Sequence, residues 1–462
     1  GKVIFAIAEE RLSRVKYHSG FPYLSINEVL RLAKLEPKDI NHISSSSKRI
    51  FFPTSHWYNE YLMSDDINYK SKFDISNLPK TSSTYKKLIE QFKQKFTEQK
   101  QYTEEEIELY SKSIIDSKLQ DLGFKNYKFD IVEHHLTHAA SAFYQSGVKD
   151  ALIVTLDGSG DGLCGSVSIA ENTRIVRVGE LSADCSLGRV YSEITRFLGF
   201  KRNRHEGKIT GLAAYGNAER LSGHLSKFIR FNEENLSFEW DETKESSLKR
   251  KIKTIRRILI NENFGNPQQD YMHEYLVNNF DPEKDGNDLS ASVQELTEDI
   301  TVELVEAFLE KYPNKNIVLS GGIFANVKVN QCVGNIKGVE YVYIHQNMGD
   351  GGCALGAALD SWSKLNIKKI PALPNDVYYG PEYSNDEILK ELEQSTGIEW
   401  TKSKNIESDV AELINSNSIV GRFSGKMEYG PRSLGNRSIL AKTTDKTIND
   451  WLNKRLNRTE FM

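Results

Sequence analysis

The residues best suited to chemistry are three histidines packed into five positions, in the run His134-His135-Leu136-Thr137-His138. On a helix, His134 and His138 stand one turn apart on the same face, so their imidazoles can meet at one cation. The chain has ten histidines in all, so this cluster is a concentrated source of nitrogen donors. No glutamate follows the first histidine, which separates the run from the H-E-x-x-H pattern of metalloproteases. Paired histidines on a helix are also common as structural groups, so spacing alone leaves both readings open.

A carboxylate comes next. Asp157 follows the apolar run 151–156 and opens Asp157-Gly158-Ser159-Gly160-Asp161-Gly162. An acid at a strand's end, followed by glycines, offers a fixed anionic ligand beside backbone N–H groups free to approach phosphate. Taken alone, such a loop is equally a tight turn. The same grammar returns in Ser320-Gly321-Gly322-Ile323-Phe324-Ala325-Asn326 and in the run 347–358, which begins Asn347-Met348-Gly349-Asp350-Gly351-Gly352-Cys353. Glycines let a backbone lie against a nucleotide, and a following helix N-terminus favours anions. Neither loop fits G-x-G-x-x-G or the Walker pattern. The expected nucleotide contacts are Gly158, Ser159, Gly160, Asp161, Gly321, Gly322, Asn326, Gly349 and Gly351. Farther on, Lys426, Arg432 and Arg437, with Ser438, gather positive charge in a glycine-bearing stretch, where arginine forks match phosphate oxygens and Glu428 orients one of them.

The elements that must position these groups alternate. Apolar patterns predict strands over 3–8, 128–132, 151–156, 165–170, 174–178, 316–320 and 341–345. Helices are predicted over 25–35, 134–145, 192–198, 289–312 (capped by Asp288 and stopped by Pro313) and 353–362. Strand–helix alternation of this kind predicts an α/β fold. Between 58 and 128 the sequence turns polar with interleaved charges and reads as a helical insertion. The basic cluster 249–257 reads as a solvated helix face, and Pro371-Ala372-Leu373-Pro374 as a linker.

At 462 residues the chain calls for two or three domains. Its 60 basic and 64 acidic side chains argue against a sequence-independent nucleic-acid binder, which carries a basic surplus. No apolar run approaches the roughly 18 residues of a membrane span, and no secretory leader is visible. The four cysteines, Cys164, Cys185, Cys332 and Cys353, are too dispersed for a zinc knuckle, and a reducing cytoplasm is the expected location. Gly1-Lys2 reads as a hairpin turn without its first strand, and the stretch 451–462 stops without a closing element, so a fragment open at both ends is expected.

Several segments together resemble the carbamoyltransferase family, which includes nodulation, cephem and aminoglycoside-antibiotic O-carbamoyltransferases. They are Glu9-Glu10-Arg11-Leu12-Ser13-Arg14, the stretches 134–144 and 157–161, and His205-Glu206-Gly207-Lys208-Ile209-Thr210-Gly211 continuing to Gly216. The stretches 320–326, 347–358 and 425–441 complete the pattern in order along the chain. The resemblance implies a two-lobed domain of the actin/hsp70/sugar-kinase (ASKHA) type over 1–370, with lobes at 1–150 and 151–370. The start of a YrdC-like domain over 375–462, forming carbamoyl-adenylate from carbamoyl phosphate and ATP, is implied to follow. It further implies metal ligands at His134, His138, Asp157 and Asp350, iron (Fe2+) as the metal, and Mg2+ with ATP; donor chemistry alone does not separate iron from zinc or manganese. Lys426, Arg432, Arg437 and Ser438 are then expected to hold carbamoyl phosphate or ATP, and a hydroxylated small molecule or glycan is the expected acceptor. The family's histidine base lies in a loop after a first strand not present here; His18 and His205 are weak substitutes. No membrane or nucleic-acid partner is expected, and a homodimer is among the expected assemblies. The competing readings are a tRNA threonylcarbamoyl transferase, a sugar kinase, and a non-catalytic nucleotide-binding protein of the same fold.

Overall fold

The computed structural model describes residues 2–18, 20–48, 103–171, 173–240, 267–366, 373, 376–444 and 447–456. They belong to two compact units: Glu9–Leu373 with Gly1, and Lys2–Ala8 with Pro374–Met462.

In the first unit, β1 (His42–Ser46) and β2 (Lys128–Val132) pair in parallel. A separate five-stranded mixed sheet has the order β5-β4-β3-β8-β9. Its strands β3 (Ala151–Gly160), β4 (Leu163–Glu171) and β5 (Arg174–Ser182) form an antiparallel meander. A small hairpin of β6 (Arg230–Asn232) and β7 (Ser237–Glu239) forms its own two-stranded sheet. On the other side of β3, β8 (Asn316–Ser320) and β9 (Tyr341–Ile344) add in parallel, with Leu152 opposite Ile317 and Thr155 opposite Ser320. The fold is mixed α/β.

The helices that matter here are α1 (Tyr23–Ala33), α2 (Glu104–Asp121), α3 (His134–Ser146), α4 (Leu187–Phe197), α5 (Pro282–Lys311), α6 (Val327–Gly334) and α7 (Cys353–Leu365). A strand flanked on both sides and covered on both faces reads as a continuous apolar run, and the first six residues of β3 are all buried. Leu152, Val154 and Leu156 join one core with Val190 and Ile194 of α4 and Leu289 and Val293 of α5. Each such side chain contributes about 1.5–3 kcal/mol by leaving water. Alternation turns Thr155 to the opposite face, where its hydroxyl meets His135 of α3. Helix α3 lies between that face and α7, and all its residues but Leu136 are buried. The two helices approach so closely that a Cβ on Gly356 would fall 1.9 Å from the Thr137 carbonyl oxygen.

Three expectations are corrected. The strand predicted to end at Leu156 runs on to Gly160, because the ladder to β4 resumes at Gly160–Leu163 across an irregularity and closes in a turn at Asp161 and Gly162, both at positive φ. Helix α5 starts seven residues before the predicted 289. Asp281 caps it and Pro282 occupies its first turn, while Asp288 instead accepts the Asn217 N–H and pairs with Arg220. The 3–8 stretch makes no strand, since apolar character alone supplies no ladder; in the second unit Ala6 N–H donates to the Tyr379 carbonyl. The basic cluster 249–257 lies outside the described residues, as does 58–102 of the polar insertion; α2 occupies part of the remainder.

The second unit contains the antiparallel pair β10 (Val420–Phe423) and β11 (Arg437–Leu440) and helices Asn385–Gln394, Ile406–Asn415 and Ile448–Arg455. Among the described residues, no helix is long and apolar enough to cross a membrane.

Candidate active site

The site is assembled at the N-terminus of α3. The first N–H groups of a helix have no partner within it, and here those of His134, His135 and Leu136 each find one outside the ladder. The Asp161 carboxylate accepts from His134 N, Glu133 accepts from His135 N and Leu136 N, and the Glu133 carbonyl takes Thr137 N. Arg177 pairs with Glu133 and holds this cap in place. The first turn is therefore rigid, and the i,i+4 spacing brings the Nε2 atoms of His134 and His138 to 3.1 Å.

Strand β3 delivers Asp157. Its Oδ2 lies 3.3 Å from His138 Nε2 and 3.5 Å from His134 Nε2, while Oδ1 accepts the Gly158 N–H. The loop after β9 delivers Asp350, whose Oδ1 lies 3.5 Å from both Nε2 atoms. Two glycine loops are fastened together for this purpose: the Met348 carbonyl accepts both Gly321 N–H (2.7 Å) and the Ser320 hydroxyl (3.1 Å). Gly321 has φ +107°, and a Cβ there would lie 2.1 Å from the Leu156 carbonyl oxygen, so only glycine permits the approach. His138 is fully buried and Asp157 mostly so, whereas Asp350 is 58% exposed and forms the rim.

The donor set fits a cation. Bonds of about 2.0–2.2 Å place tetrahedral donors about 3.3–3.6 Å apart, and the separations between the imidazoles, and from each imidazole to each carboxylate, run from 3.1 to 3.5 Å. His138 Nδ1 faces the Ser320 hydroxyl at 3.4 Å. That hydroxyl donates onward to Met348, so it accepts a proton from Nδ1, which leaves the Nε2 lone pair for the centre. The electrostatics agree. Burial opposes the charged form of His134, but Cys353 and the carboxylates of Asp157 and Asp350 outweigh it and raise the imidazole to about 9. His138 is driven well above its ordinary value against the same burial by Cys353, Asp157 and Asp350. Burial also opposes ionisation of Asp157, yet bonds to both histidines hold it well below the usual carboxylate range. The pocket demands positive charge that two protonated rings 3.1 Å apart supply poorly, whereas one divalent ion supplies it at a single point.

Cys353, the first residue of α7, escaped the reading of the sequence. Ligand atoms of His134, His138, Asp350 and Cys353 all lie within 4.8 Å of one another, and Cys353 is 2% exposed. Its position three residues after Asp350, at a helix start, was the available signal. His135, by contrast, faces Thr155 and the Leu163 carbonyl, and burial pushes it well below its ordinary value. His18 and His205 are not in the donor cluster; His205 Nδ1 accepts the Lys201 N–H.

The residues expected to contact nucleotide divide. Gly158 and Gly349 face open space. Gly160, Gly322 and Gly351 are tight against His134, Asp157 and Asn347, so their lack of a side chain shapes the site itself. Ser159 continues β3. Asp161 accepts from Ser47, Lys48 N and His134 N, and Asn326 caps α6 while exchanging bonds with Gln294; both are engaged as framework.

In the second unit, one Glu428 oxygen accepts three N–H groups, from Leu434, Asn436 and Arg437. Arg437 donates to the carbonyls of Ser424, Gly425, Asn436 and Pro381 and stacks 3.6 Å from the Phe423 ring, so its guanidinium braces the loop. Glu428 therefore orients backbone rather than an arginine fork. Ser438 Oγ accepts the Gly435 N–H, while Lys426 and Arg432 are exposed.

The profile of the carbamoyltransferase N-terminus matches residues 1–359, and that of the carbamoyltransferase C-terminus matches 411–462. The chain belongs to the carbamoyltransferase family. It is accordingly a transferase. Among relatives of this carbamoyltransferase, an uncharacterized protein of Methanocaldococcus jannaschii is 30% identical over 99% of this chain and 76% of its own length. The nodulation protein NolNO of Sinorhizobium fredii is 28% identical over 100% of this chain and 59% of its own. NolO of Bradyrhizobium diazoefficiens is 29% identical over 71% and 56% respectively. Among solved structures, full-length HypF in its phosphate- and nucleotide-bound form is 14% identical, with TM-score 0.29 over 53% of this chain and 45% of that one, too slight a likeness to carry any argument.

Proposed function

We propose that this carbamoyltransferase moves a carbamoyl group from carbamoyl-adenylate to a hydroxyl of a sugar or secondary metabolite, at a metal centre held by His134, His138, Asp157 and Asp350. The observation that carries the reading is that two carboxylates, from separate chain segments, each lie within 3.5 Å of both imidazole nitrogens. A bound divalent cation, Fe2+ in this proposal, would supply Lewis-acid stabilisation of the negative charge that grows on the carbamoyl oxygen. The chain's own residues do the rest. The two imidazoles and Asp157 form a dry, fixed floor, while the exposed Asp350 borders the side from which substrate arrives. Open space beside Gly158 and Gly349, where a side chain would meet nothing, leaves room for the adenylate phosphate close by. In the transfer, the acceptor oxygen bonds to the carbamoyl carbon, the bond from that carbon to the AMP phosphate oxygen breaks, and AMP leaves. The hydroxyl proton passes to a base that none of the described histidines is assigned to be.

The two-lobed ASKHA reading of the first unit and the YrdC-like reading of the second belong to the same proposal and rest on family membership. In it the second unit forms the adenylate from ATP, with Mg2+, and carbamoyl phosphate, and the exposed Lys426 and Arg432 are the side chains placed to meet phosphate there. The test supplies purified protein with either carbamoyl-adenylate or carbamoyl phosphate and ATP, plus a panel of hydroxylated acceptors. Acceptor-dependent release of AMP, lost in His134→Ala/His138→Ala together with bound iron, is the expected result. Protein that binds nucleotide yet never holds metal overturns the reading.

A further inference from the structure

We infer that the thiolate of Cys353 is a donor to the same cation, so that the centre has a sulfur ligand beside its nitrogen and oxygen ligands. The inference rests on the metal centre proposed for His134, His138, Asp157 and Asp350. Three observations carry it. Cys353 Sγ lies 3.6 Å from His138 Nε2. It lies 3.7 Å from Nδ1 of the same ring, so the sulfur packs beside the buried imidazole. Moreover, Sγ belongs to the set of ligand atoms mutually within 4.8 Å, together with His134, His138 and Asp350; Asp157 is not in that set.

The third observation is where the fold puts the residue. Cys353 opens the thirteen-residue helix α7, directly after the turn Asp350–Gly352 that carries the rim carboxylate. The sulfur is thereby held at the start of the helix, facing the imidazole cluster. Packing alone makes no demand for sulfur here. A buried cysteine used only as a small apolar group sits among apolar neighbours, as free cysteines commonly do. This one sits among two imidazoles and a carboxylate.

The consequence is selectivity. Hard oxygen sites favour magnesium and manganese, whereas a thiolate biases a site toward iron, cobalt and zinc. On binding, the thiol proton is released to solvent as the sulfur–metal bond forms.

The test uses the whole protein, stripped by chelator and reloaded with Co2+. Visible d–d bands report cobalt at the centre, and a near-ultraviolet sulfur-to-metal charge-transfer band reports the thiolate. Wild-type protein shows both; Cys353→Ala keeps bound cobalt and visible bands but loses the near-ultraviolet band. Cys332→Ala retains it, and Cys164 is tied to carbonyls of Ser182 and Cys185, so neither confuses the assignment. Cys353→Ser serves if the alanine variant does not fold. Visible bands without the charge-transfer band, or a band that survives in Cys353→Ala, overturn the sulfur ligand and leave the metal centre standing. Failure to take up cobalt at all overturns the metal centre and the sulfur ligand with it.

Discussion

Gly160 and His134 occupy one space: a Cβ on the glycine would lie 2.1 Å from Cδ2 of the imidazole. The ring takes its working position because residue 160 has no side chain. Gly160→Ala should push the imidazole away from His138 and Asp157, lowering metal affinity about tenfold or more and costing about 1–3 kcal/mol of stability from overpacking. Metal content after dialysis, with circular dichroism as the check on folding, measures it. Unchanged metal retention in a folded variant counts against the proposed role of His134.

Ser320 acts on the centre without touching the cation, by accepting from His138 Nδ1 and donating to Met348. Replacing it with alanine leaves Nδ1 without this acceptor and the ring freer to turn. Ser320→Ala should weaken metal binding about 10–100-fold, read by competition with a chelator of known affinity. Equal affinities would mean that the weak 3.4 Å contact sets nothing.

His345 supplies a pH signature of its own. Burial above all, with the charge of His138, outweighs its bond to the Asn347 carbonyl and holds it at about 4. An unfolded imidazole titrates near 6.5. As pH falls from about 6.5 toward 4, the unfolded chain takes up a proton that the fold refuses, and stability drops by on the order of 3 kcal/mol over that window. Above it, both states are neutral and the contribution is constant. Urea unfolding at pH 7.5 and 5 should show a smaller loss in His345→Gln than in wild type; equal losses would sink the assignment.

Glu428 gives a signature of the same sign in a more acidic window. Burial opposes its ionisation, but the backbone N–H groups of Leu434, Arg437 and Asn436 outweigh it and hold the carboxyl below its ordinary value. Its contribution is therefore present above the usual carboxylate range and is lost as pH falls through the depressed value. Glu428→Ala leaves three N–H groups without this acceptor and should cost about 1–3 kcal/mol, measurable by denaturant unfolding at neutral pH. The same substitution should disturb the 425–437 loop, seen as faster amide exchange there.

The histidine pair was legible from spacing because helix geometry turns four residues into one face. The central strand was legible because burial on both faces demands an unbroken apolar run. Asp350 was not derivable in this way. Its place depends on a loop tied to Met348, a contact between residues far apart in sequence, and only the family resemblance pointed to it. The framework bonds of Asp161 and Asn326 were not legible for a related reason: they join glycine-rich loops to residues far away in sequence. At β3 the apolar run ends at Leu156, whereas the strand continues through Gly158 and Gly160 because the ladder, not side-chain character, sets its end.

The shared carbonyl of Met348 has a further bearing on how the centre works. Because Gly321 and Ser320 both hang from it, the loop ending the innermost parallel strand and the loop bearing Asp350 are pinned at one atom. The rim carboxylate is thus no independent arm. It inherits its position from the stiffest part of the sheet, and only its own side-chain torsions are left to adjust when a substrate arrives.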